Sequence, residues 1–383
     1  MQLELSAEDA AFREEMRAFF TTEFPQDIRD TVLEGRDLTR DQIVEGQQAL
    51  NAAGLAVPHW PEEWGGRGWS DLQRHLWHEE MQAAGVPIPL AFNASMIGPV
   101  IVQFGTQEQK ERFLPATANL DIWWAQGFSE PDAGSDLASL RTTAVRDGDD
   151  WIVNGQKTWT TLGQYGDWIF TLVRTDPEVK KQAGISMLLI DMTLPGVEVR
   201  PIELIDGGYE VNEVWFDDVR VPGDLLVGEL NGGWTIAKFL LGNERVGVAP
   251  VGLTKRALAT LKDNAGDLLD DPLTRARIAE IENDLLALEL TALRVVAHSA
   301  GGEPHPASSV LKLKGTELQQ AVSALALDLA GPGSLAFGAD DTSEIPGWAR
   351  RSTPTYLNLR KASIYGGSNE IQRMIIARTI LGL

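Results

Sequence analysis

The sequence contains no cysteine among its 383 residues. That absence excludes disulfide bonds, thiolate metal sites and a cysteine nucleophile. Histidine is also scarce, with five residues in the whole chain. His75 and His78 are spaced to share a helix face, but they are not part of an H-E-x-x-H pattern and no third ligand is evident nearby. We therefore predict no metal site.

Basic charge and long apolar runs are lacking as well. The chain has 33 Lys and Arg against 55 Asp and Glu, a formal net charge of −22. Nucleic-acid binding needs a basic footprint, so that class is not expected. No apolar run reaches the length of a membrane span, and the N-terminus lacks the basic and apolar regions of a signal peptide. We expect a cytoplasmic protein that holds any anionic ligand by local donors.

Three compositional regions follow one another along the chain. Residues 1–122 have helical apolar spacing, residues 123–233 contain short β-rich runs separated by turns, and residues 234–383 are helical again. Segregated helices and strands predict an α+β protein with an N-terminal helical domain, a central antiparallel β-domain and a C-terminal helical bundle. No G-x-G-x-x-G follows a strand, so a Rossmann site is not predicted.

Two segments of the β-rich region have the residues of a ligand site. The segment 126–136 (QGFSEPDAGSD) combines hydroxyls, small residues and a proline, which can bring backbone N–H groups close to a planar ring or a phosphate, or can form a plain turn. In the segment 154–161 (NGQKTWTT), Asn154-Gly155 predicts a hairpin turn. Trp159 then offers a flat face, although ordinary strand composition explains the same residues.

Glu244 is the candidate proton-transfer group. On a helix its neighbours would be Leu240, Leu241 and Val248, all apolar, and such surroundings raise the pKa of a carboxyl group. A raised pKa suits a general base near neutral pH. Arg245 is adjacent in sequence, but neighbours i and i+1 do not face each other on a helix. The alternative is a structural glutamate paired with a cation from another helix.

A glycine pair precedes the last predicted helix, Ile371 to Ile380. Ser368 is a plausible N-cap of that helix, and the free N–H groups at its start suit an anionic or carbonyl oxygen. The alternative is a capped terminal helix with no further role.

Several motifs in one order resemble the acyl-CoA dehydrogenase family over nearly the whole chain. They are PHWPEEWGG (58–66), GFSEPDAGSD (127–136), NGQKTWTT (154–161), NEVWFDDVRVP (212–222) and IYGGSNEIQR (364–373). The chain is most similar to the large subunit of pimeloyl-CoA dehydrogenases and to bacterial enzymes of steroid side-chain degradation, which are often built from two different subunits. The resemblance implies the acyl-CoA dehydrogenase fold, with FAD lodged between the β-domain and the C-terminal bundle.

The resemblance also implies roles for individual residues. The positions beside the isoalloxazine ring are Gln126, Phe128 and Ser129. The positions at its other edge, near N5, are Trp159, Thr160 and Thr161. Ser368 and Glu370 match positions that touch the rest of the FAD, while Ser135 and Arg245 are expected at the acyl-CoA.

Two departures from the family pattern bear on the chemistry. Many members carry the catalytic glutamate where this chain has Gly366, whereas a smaller group carries it in an E-R pair like Glu244-Arg245. The resemblance therefore assigns the base to Glu244 and leaves Gly366 a backbone N–H for the thioester carbonyl.

The R-x-x-F-G stretch that reaches the FAD of a neighbouring subunit is missing from 263–280 (DNAGDLLDDPLTRARIAE). Another arginine or a different subunit would then take its place.

The expected reaction is α,β-dehydrogenation of an acyl-CoA to the 2-enoyl-CoA, with electron-transferring flavoprotein as the acceptor and a homo- or hetero-oligomer as the assembly. The first alternative is a flavin oxidase or monooxygenase on the same fold. The second is a non-catalytic subunit of a heteromeric dehydrogenase.

Overall fold

The computed structural model describes residues 5–247, 251–298, 307–336 and 344–383, and the side chains of 241–247 and 296–298 lie outside the description. The described chain forms two compact units, each built from separate stretches of sequence. The first comprises residues 1–42, 69–88 and 244–383, and the second comprises 43–68 and 89–243. Of the helices in these described ranges, none combines the length and apolarity needed to cross a bilayer.

The first unit is helical. Its helices are α1 (Ala7–Ala18), α2 (Gln26–Leu33), α4 (Asp71–Ala83), α8 (Val251–Ala265), α9 (Pro272–His298), α10 (Ser308–Ala330), α11 (Gly347–Asn358) and α12 (Asn369–Ile376). The core of this unit lies among α8, α9 and α10. Helix α9 buries an apolar residue about every 3.5 positions, which is the spacing that its sequence shows. Those residues are Ile278, Ile281, Leu285, Leu288 and Val295, and they pack with Leu258, Leu261, Leu311, Leu318, Val322 and Leu325.

The second unit contains two helices, α5 (Gly98–Phe104) and α6 (Gln107–Ala118), and an eight-stranded sheet. Helices α3 (Arg40–Ala52) and α7 (Gly233–Gly247) contain the points where the chain passes between units. The strands are β1 (Trp124–Gly127), β2 (Thr143–Asp147), β3 (Asp150–Thr161), β4 (Trp168–Arg174), β5 (Ile185–Asp191), β6 (Val197–Ile202), β7 (Val211–Pro222) and β8 (Leu226–Val227).

The sheet is mainly antiparallel, as the sequence predicts. Its order is β6-β7-β3-β2-β4-β5-β8, and β1 lies beside β4. The pairs β1–β4 and β2–β4 are parallel, which the sequence did not indicate. Strands β4 and β5 are buried along almost their whole length, and this explains their nearly continuous apolar runs.

The predicted hairpin at Asn154-Gly155 is wrong, because both residues lie inside β3. The register of β3 against β7 shifts between Val153 and Gly155, where two β7 residues lie opposite Asn154, so the extra residue of the bulge is in β7. Gly155 has φ +146°, and a Cβ there would come within 2.6 Å of Thr142 Oγ1 and 2.7 Å of Thr142 Cα. Gly155 therefore lies beside a β-bulge and allows a close approach of Thr142. Both are known reasons, besides a hairpin turn, for a glycine next to an asparagine in a β-rich run.

A buried ion pair joins the two β-region segments singled out from the sequence. Lys157 Nζ lies 2.7 Å from Glu130 Oε1, and neither side chain is more than 7% exposed. Nζ also donates to the carbonyl of Phe128 at 3.3 Å. The other contacts of Glu130 are backbone N–H donors, from Arg141 at 2.6 Å and Thr142 at 2.9 Å. The carboxylate thus holds the first segment against β3 through Lys157 and against residues 141 and 142 through their backbone N–H groups.

The surroundings of this pair shift both pKa values. Burial lowers the pKa of Lys157 to about 8, although the charge of Glu130 opposes that shift. Burial raises the pKa of Glu130, but Lys157 and the donors on Thr142 and Arg141 outweigh it, and the pKa lies below its usual value. Both groups are therefore ionised at neutral pH.

Substitution of Gly155 by alanine is expected to destabilise the protein by about 3 kcal/mol, because the new Cβ would clash with Thr142 and φ would be strained. Gly134→Ala is the matched control, since nothing lies within 4 Å of a Cβ there. Thermal unfolding of both variants measures the difference. Equal unfolding midpoints for the two variants would contradict the close approach of Gly155 to Thr142.

Glu130→Gln is expected to cost about 3 kcal/mol at pH 7, because it leaves Lys157 buried without its counter-charge. The folded-state pKa of Glu130 is below 4.5, so its contribution is present above that pH and disappears as the pH falls through the folded-state pKa. The unfolding midpoints of wild type and variant should therefore converge in acid. Asp147→Asn removes an exposed partner of Arg220 and should show little effect; a constant gap at all pH values would refute this account of the pair.

Candidate functional site

Trp159 is turned outward by a second irregularity in β3. The register against β7 shifts again between Lys157 and Thr160, and Trp159 adopts φ +60°. A tryptophan with left-handed backbone is uncommon and needs support from its surroundings. The indole is 57% exposed, whereas Thr158 and Thr160 on either side are buried. The bulge therefore turns one large flat ring outward from an otherwise packed strand.

The segment 126–129 lies beside the same part of β3. Gln126 belongs to β1 and pairs with Phe170 on β4. Phe128 is buried, with its ring 5.8 Å from that of Phe170, so only its backbone is available to a ligand. The carbonyl of Ser129 accepts a hydrogen bond from Thr158 N at 2.9 Å. The structure thus brings together the two segments that the sequence suggested for one ring.

Thr160 and Thr161 pair with the start of β7. Thr160 lies opposite Asn212, whose Nδ2 donates to the Thr160 carbonyl at 3.0 Å. The hydroxyl of Thr160 is buried and has no hydrogen-bond partner among the described residues. Thr161 is half-buried and ends the strand.

Ser135, by contrast, is exposed in the turn that follows Ala133, where the backbones of Glu130 and Ala133 bond to each other.

The C-terminal candidates lie in the other unit. Gly366 and Gly367 have φ +61° and +81°, a backbone that glycine adopts readily. Ser368 is confirmed as an N-cap, since its side chain accepts from Ile371 N, and α12 begins at Asn369, slightly earlier than predicted. Glu370 is exposed, and hydrogen bonds from its own N–H and from Ser368 lower its pKa. The positive end of the α12 dipole lies at this loop.

The side chains of Glu244 and Arg245 lie outside the described residues. Their backbone belongs to α7, as the sequence predicted for a helix, and Leu240 one turn earlier is fully buried. Within the described part of the chain, no three His, Cys, Asp or Glu residues are grouped so that they could hold a metal ion.

Sequence reasoning gave no role to Glu130 or Lys157, although both lie in the quoted motifs. The available signal was a lysine in the middle of a β-rich run, where a cation needs a buried partner. Residues were singled out because they could contact a ligand, whereas Glu130 and Lys157 hold those residues in position.

The geometry fits a flavin in the second unit. An outward-facing indole, threonine backbone groups and the backbone of residues 126–129 are held together on one rigid sheet. A planar ring system is the ligand that such an aromatic face accommodates. Residues at the ends of strands hold a ligand more rigidly than a free loop does.

Three family models together match nearly the whole chain. The "Acyl-CoA dehydrogenase, N-terminal domain" matches residues 6–121, the "Acyl-CoA dehydrogenase, middle domain" matches 125–219 and the "Acyl-CoA dehydrogenase, C-terminal domain" matches 231–381. Among curated proteins, acyl-CoA dehydrogenase IpdE1 of Mycobacterium tuberculosis is 42% identical over 342 residues, which cover 88% of this chain and 86% of the relative.

Solved structures show the same likeness. The "Tcur3481-Tcur3483 steroid ACAD" has a TM-score of 0.87 and 30% identity, covering 100% of this chain and 99% of the other. The ChsE4-ChsE5 complex of Mycobacterium tuberculosis has a TM-score of 0.85 and 33% identity, with the same coverage. The helical and β-sheet parts expected from the sequence are those of this fold. The chain therefore belongs to the acyl-CoA dehydrogenase family of FAD-binding enzymes.

Proposed function

We propose that this chain catalyses the α,β-dehydrogenation of an acyl-CoA thioester, with Glu244 as the base that removes the α-proton. The observation that carries the proposal is the C-terminal loop, where Gly366 stands at φ +61° with no side chain to act as a base. An E-R pair in α7 supplies the carboxylate that the loop lacks. The neighbouring apolar positions on that helix suit a carboxylate of raised pKa.

In this reaction the α-proton passes to the Glu244 carboxylate. The thioester oxygen gains negative charge at the same time, and the N–H of Gly366 donates to it and stabilises that charge. FAD supplies the acceptor for the hydride that leaves the β-carbon. Arg245 and Ser135 are proposed to hold the acyl-CoA, because each offers donors to an anionic or carbonyl group.

The proposed FAD contacts are the residues to which the family resemblance assigns that role. Trp159 provides a ring face, while Gln126, Phe128, Ser129, Thr160 and Thr161 offer donors and acceptors from a fixed sheet. Ser368 and Glu370 are proposed to contact the rest of the cofactor. The division into segments 1–122, 123–233 and 234–383 belongs to the same proposal, with the central segment serving mainly the flavin.

The proposed substrate class is an acyl-CoA with a bulky or ring-bearing acyl chain. Gly366 removes side-chain volume at the loop, and one similar structure is called a steroid ACAD. We also propose a hetero-oligomer, because the R-x-x-F-G stretch is missing and two similar structures carry paired names, one described as a complex. Electron-transferring flavoprotein is the proposed acceptor of the electrons.

Glu244→Gln should retain FAD and lose turnover by about 1000-fold, since a general base contributes that order of rate. The measurement is anaerobic bleaching of the flavin absorption by a panel of straight-chain, dicarboxyl and steroid-side-chain acyl-CoAs. Wild type should bleach with at least one of them and the variant should not. Glu280→Gln, at an exposed position of α9, is the control and should behave as wild type. Full turnover by Glu244→Gln would eliminate this assignment, and rapid reoxidation by oxygen would favour an oxidase.

Trp159→Ala should weaken FAD binding by about fivefold, the loss of roughly 1 kcal/mol of aromatic contact. Ile205→Ala removes another exposed apolar side chain and is the control. FAD affinity is measured by fluorescence titration on the isolated chain and on the chain co-expressed with a second dehydrogenase subunit. If Trp159→Ala binds FAD as wild type does in both preparations, the indole is not a flavin contact.

A further inference from the structure

One face of α10 carries a row of polar residues directed into the helical unit. Lys312, Thr316, Gln320 and Ser323 recur at intervals of four, four and three residues, which keeps them on one side of the helix. Lys312, Thr316 and Ser323 are buried. Polar side chains at buried positions require hydrogen-bond partners, and their partners lie on both sides of the glycine loop that contains Gly366.

The first two residues of this row bind the residue that follows the loop. Lys312 Nζ donates to Asn369 Oδ1 at 3.1 Å, and the Thr316 hydroxyl, which shares its hydrogen with the Leu313 carbonyl at 3.0 Å, lies 3.2 Å from the same oxygen. Asn369 is the first residue of α12 and is itself buried. One acceptor atom with two buried donors fixes the beginning of α12 against α10.

The last two residues bind the segment that precedes the loop. Gln320 Nε2 donates to the carbonyl of Leu359 at 3.0 Å, and Arg360 donates to Ser323 Oγ at 3.0 Å. Gln320 is also within 3.3 Å of Ser363 Oγ. The chain is therefore attached to α10 immediately before residue 364 and again at Asn369.

The five residues between these attachments, 364–368, are more exposed than the buried residues Ala362 and Asn369 on either side. Ile364 and Tyr365 are 68% and 49% exposed, and the two glycines that follow have positive φ. Within α12, Gln372 Nε2 donates to the Gly367 carbonyl at 3.2 Å. Gln372 Nε2 also lies 3.5 Å from the Gly366 carbonyl, so the position of Gly366 depends on its two attached ends and on this amide.

We propose that Lys312 is a positioning residue for the reaction, since its bond to Asn369 sets where the Gly366 N–H points. The inference rests on the proposed function, in which that N–H stabilises the thioester oxygen. A buried ammonium is costly, and a well-packed apolar residue often stabilises a core as well or better. The exact orientation of the loop gives a reason for a lysine here, because a donor misplaced by 1 Å can cost about 100-fold in rate.

The test compares Lys312→Met with Lys314→Met in the FAD-loaded protein. Lys314 is two residues further along α10 and is half-exposed, with Asp284 and Glu317 as its ion-pair partners. Amide hydrogen exchange of the peptide covering residues 364–370 reports the loop directly and does not depend on any substrate. Turnover is then measured with the acyl-CoA that bleaches the wild-type flavin.

Lys312→Met should speed exchange in residues 364–370 by about tenfold and lower kcat by about 10- to 100-fold, with KM within about threefold. Lys314→Met should leave all three unchanged. Thr316→Val removes the second donor and should change exchange and kcat in the same direction, which keeps the test decisive if Lys312→Met does not fold.

Wild-type exchange in Lys312→Met, or faster exchange without a fall in kcat, would overturn the positioning role. If wild type oxidises no acyl-CoA, the proposed function fails on its own, and unchanged exchange in the variants would separately reject the attachment of the loop by Lys312.

Discussion

The buried pair of Glu130 and Lys157 is the interaction on which the flavin part of the structure depends. Glu130 and Lys157 are 27 positions apart in sequence, and the carboxylate also accepts from the backbone N–H groups of Arg141 and Thr142, so it joins three stretches of the chain. A charge pair in this position is a poor source of net stability, because desolvation offsets most of the attraction. It is, however, a strong directional constraint. Trp159 and the backbone of Ser129 can therefore offer a ligand a fixed arrangement.

The helical unit uses the same principle with different chemistry. A buried lysine and a threonine hydroxyl both lie within hydrogen-bond distance of the Asn369 amide oxygen and hold the start of α12. In both units a buried lysine holds a stretch of backbone that the proposed function places at the ligand. Under that proposal, function depends on groups that contact FAD or substrate and on buried cations that position those groups.

Much of the fold followed from the sequence, because periodicity records burial. The long apolar spacing of α9 and the continuous apolar runs of β4 and β5 gave the element types correctly. Asn154-Gly155 was wrong because the same dipeptide suits a hairpin and a bulge, and only the nearby backbone of Thr142 decides between them. The parallel pairing of β1 with β4 joins segments forty residues apart, which local pattern does not record. The motifs named two segments that the structure brings side by side, but the partner of Lys157 required the three-dimensional arrangement.

The backbone at Gly366 has an evolutionary consequence. At φ +61° a residue with a side chain is disfavoured by about 1 kcal/mol or more, so the loop conformation and the absence of a carboxylate there belong together. A single Gly366→Glu change would add a second acid to a site proposed to use Glu244, and like charges in one site raise each other's pKa. It would also strain the loop that α10 holds at both ends. Replacement of Gly366 by glutamate during evolution would therefore carry both costs at once.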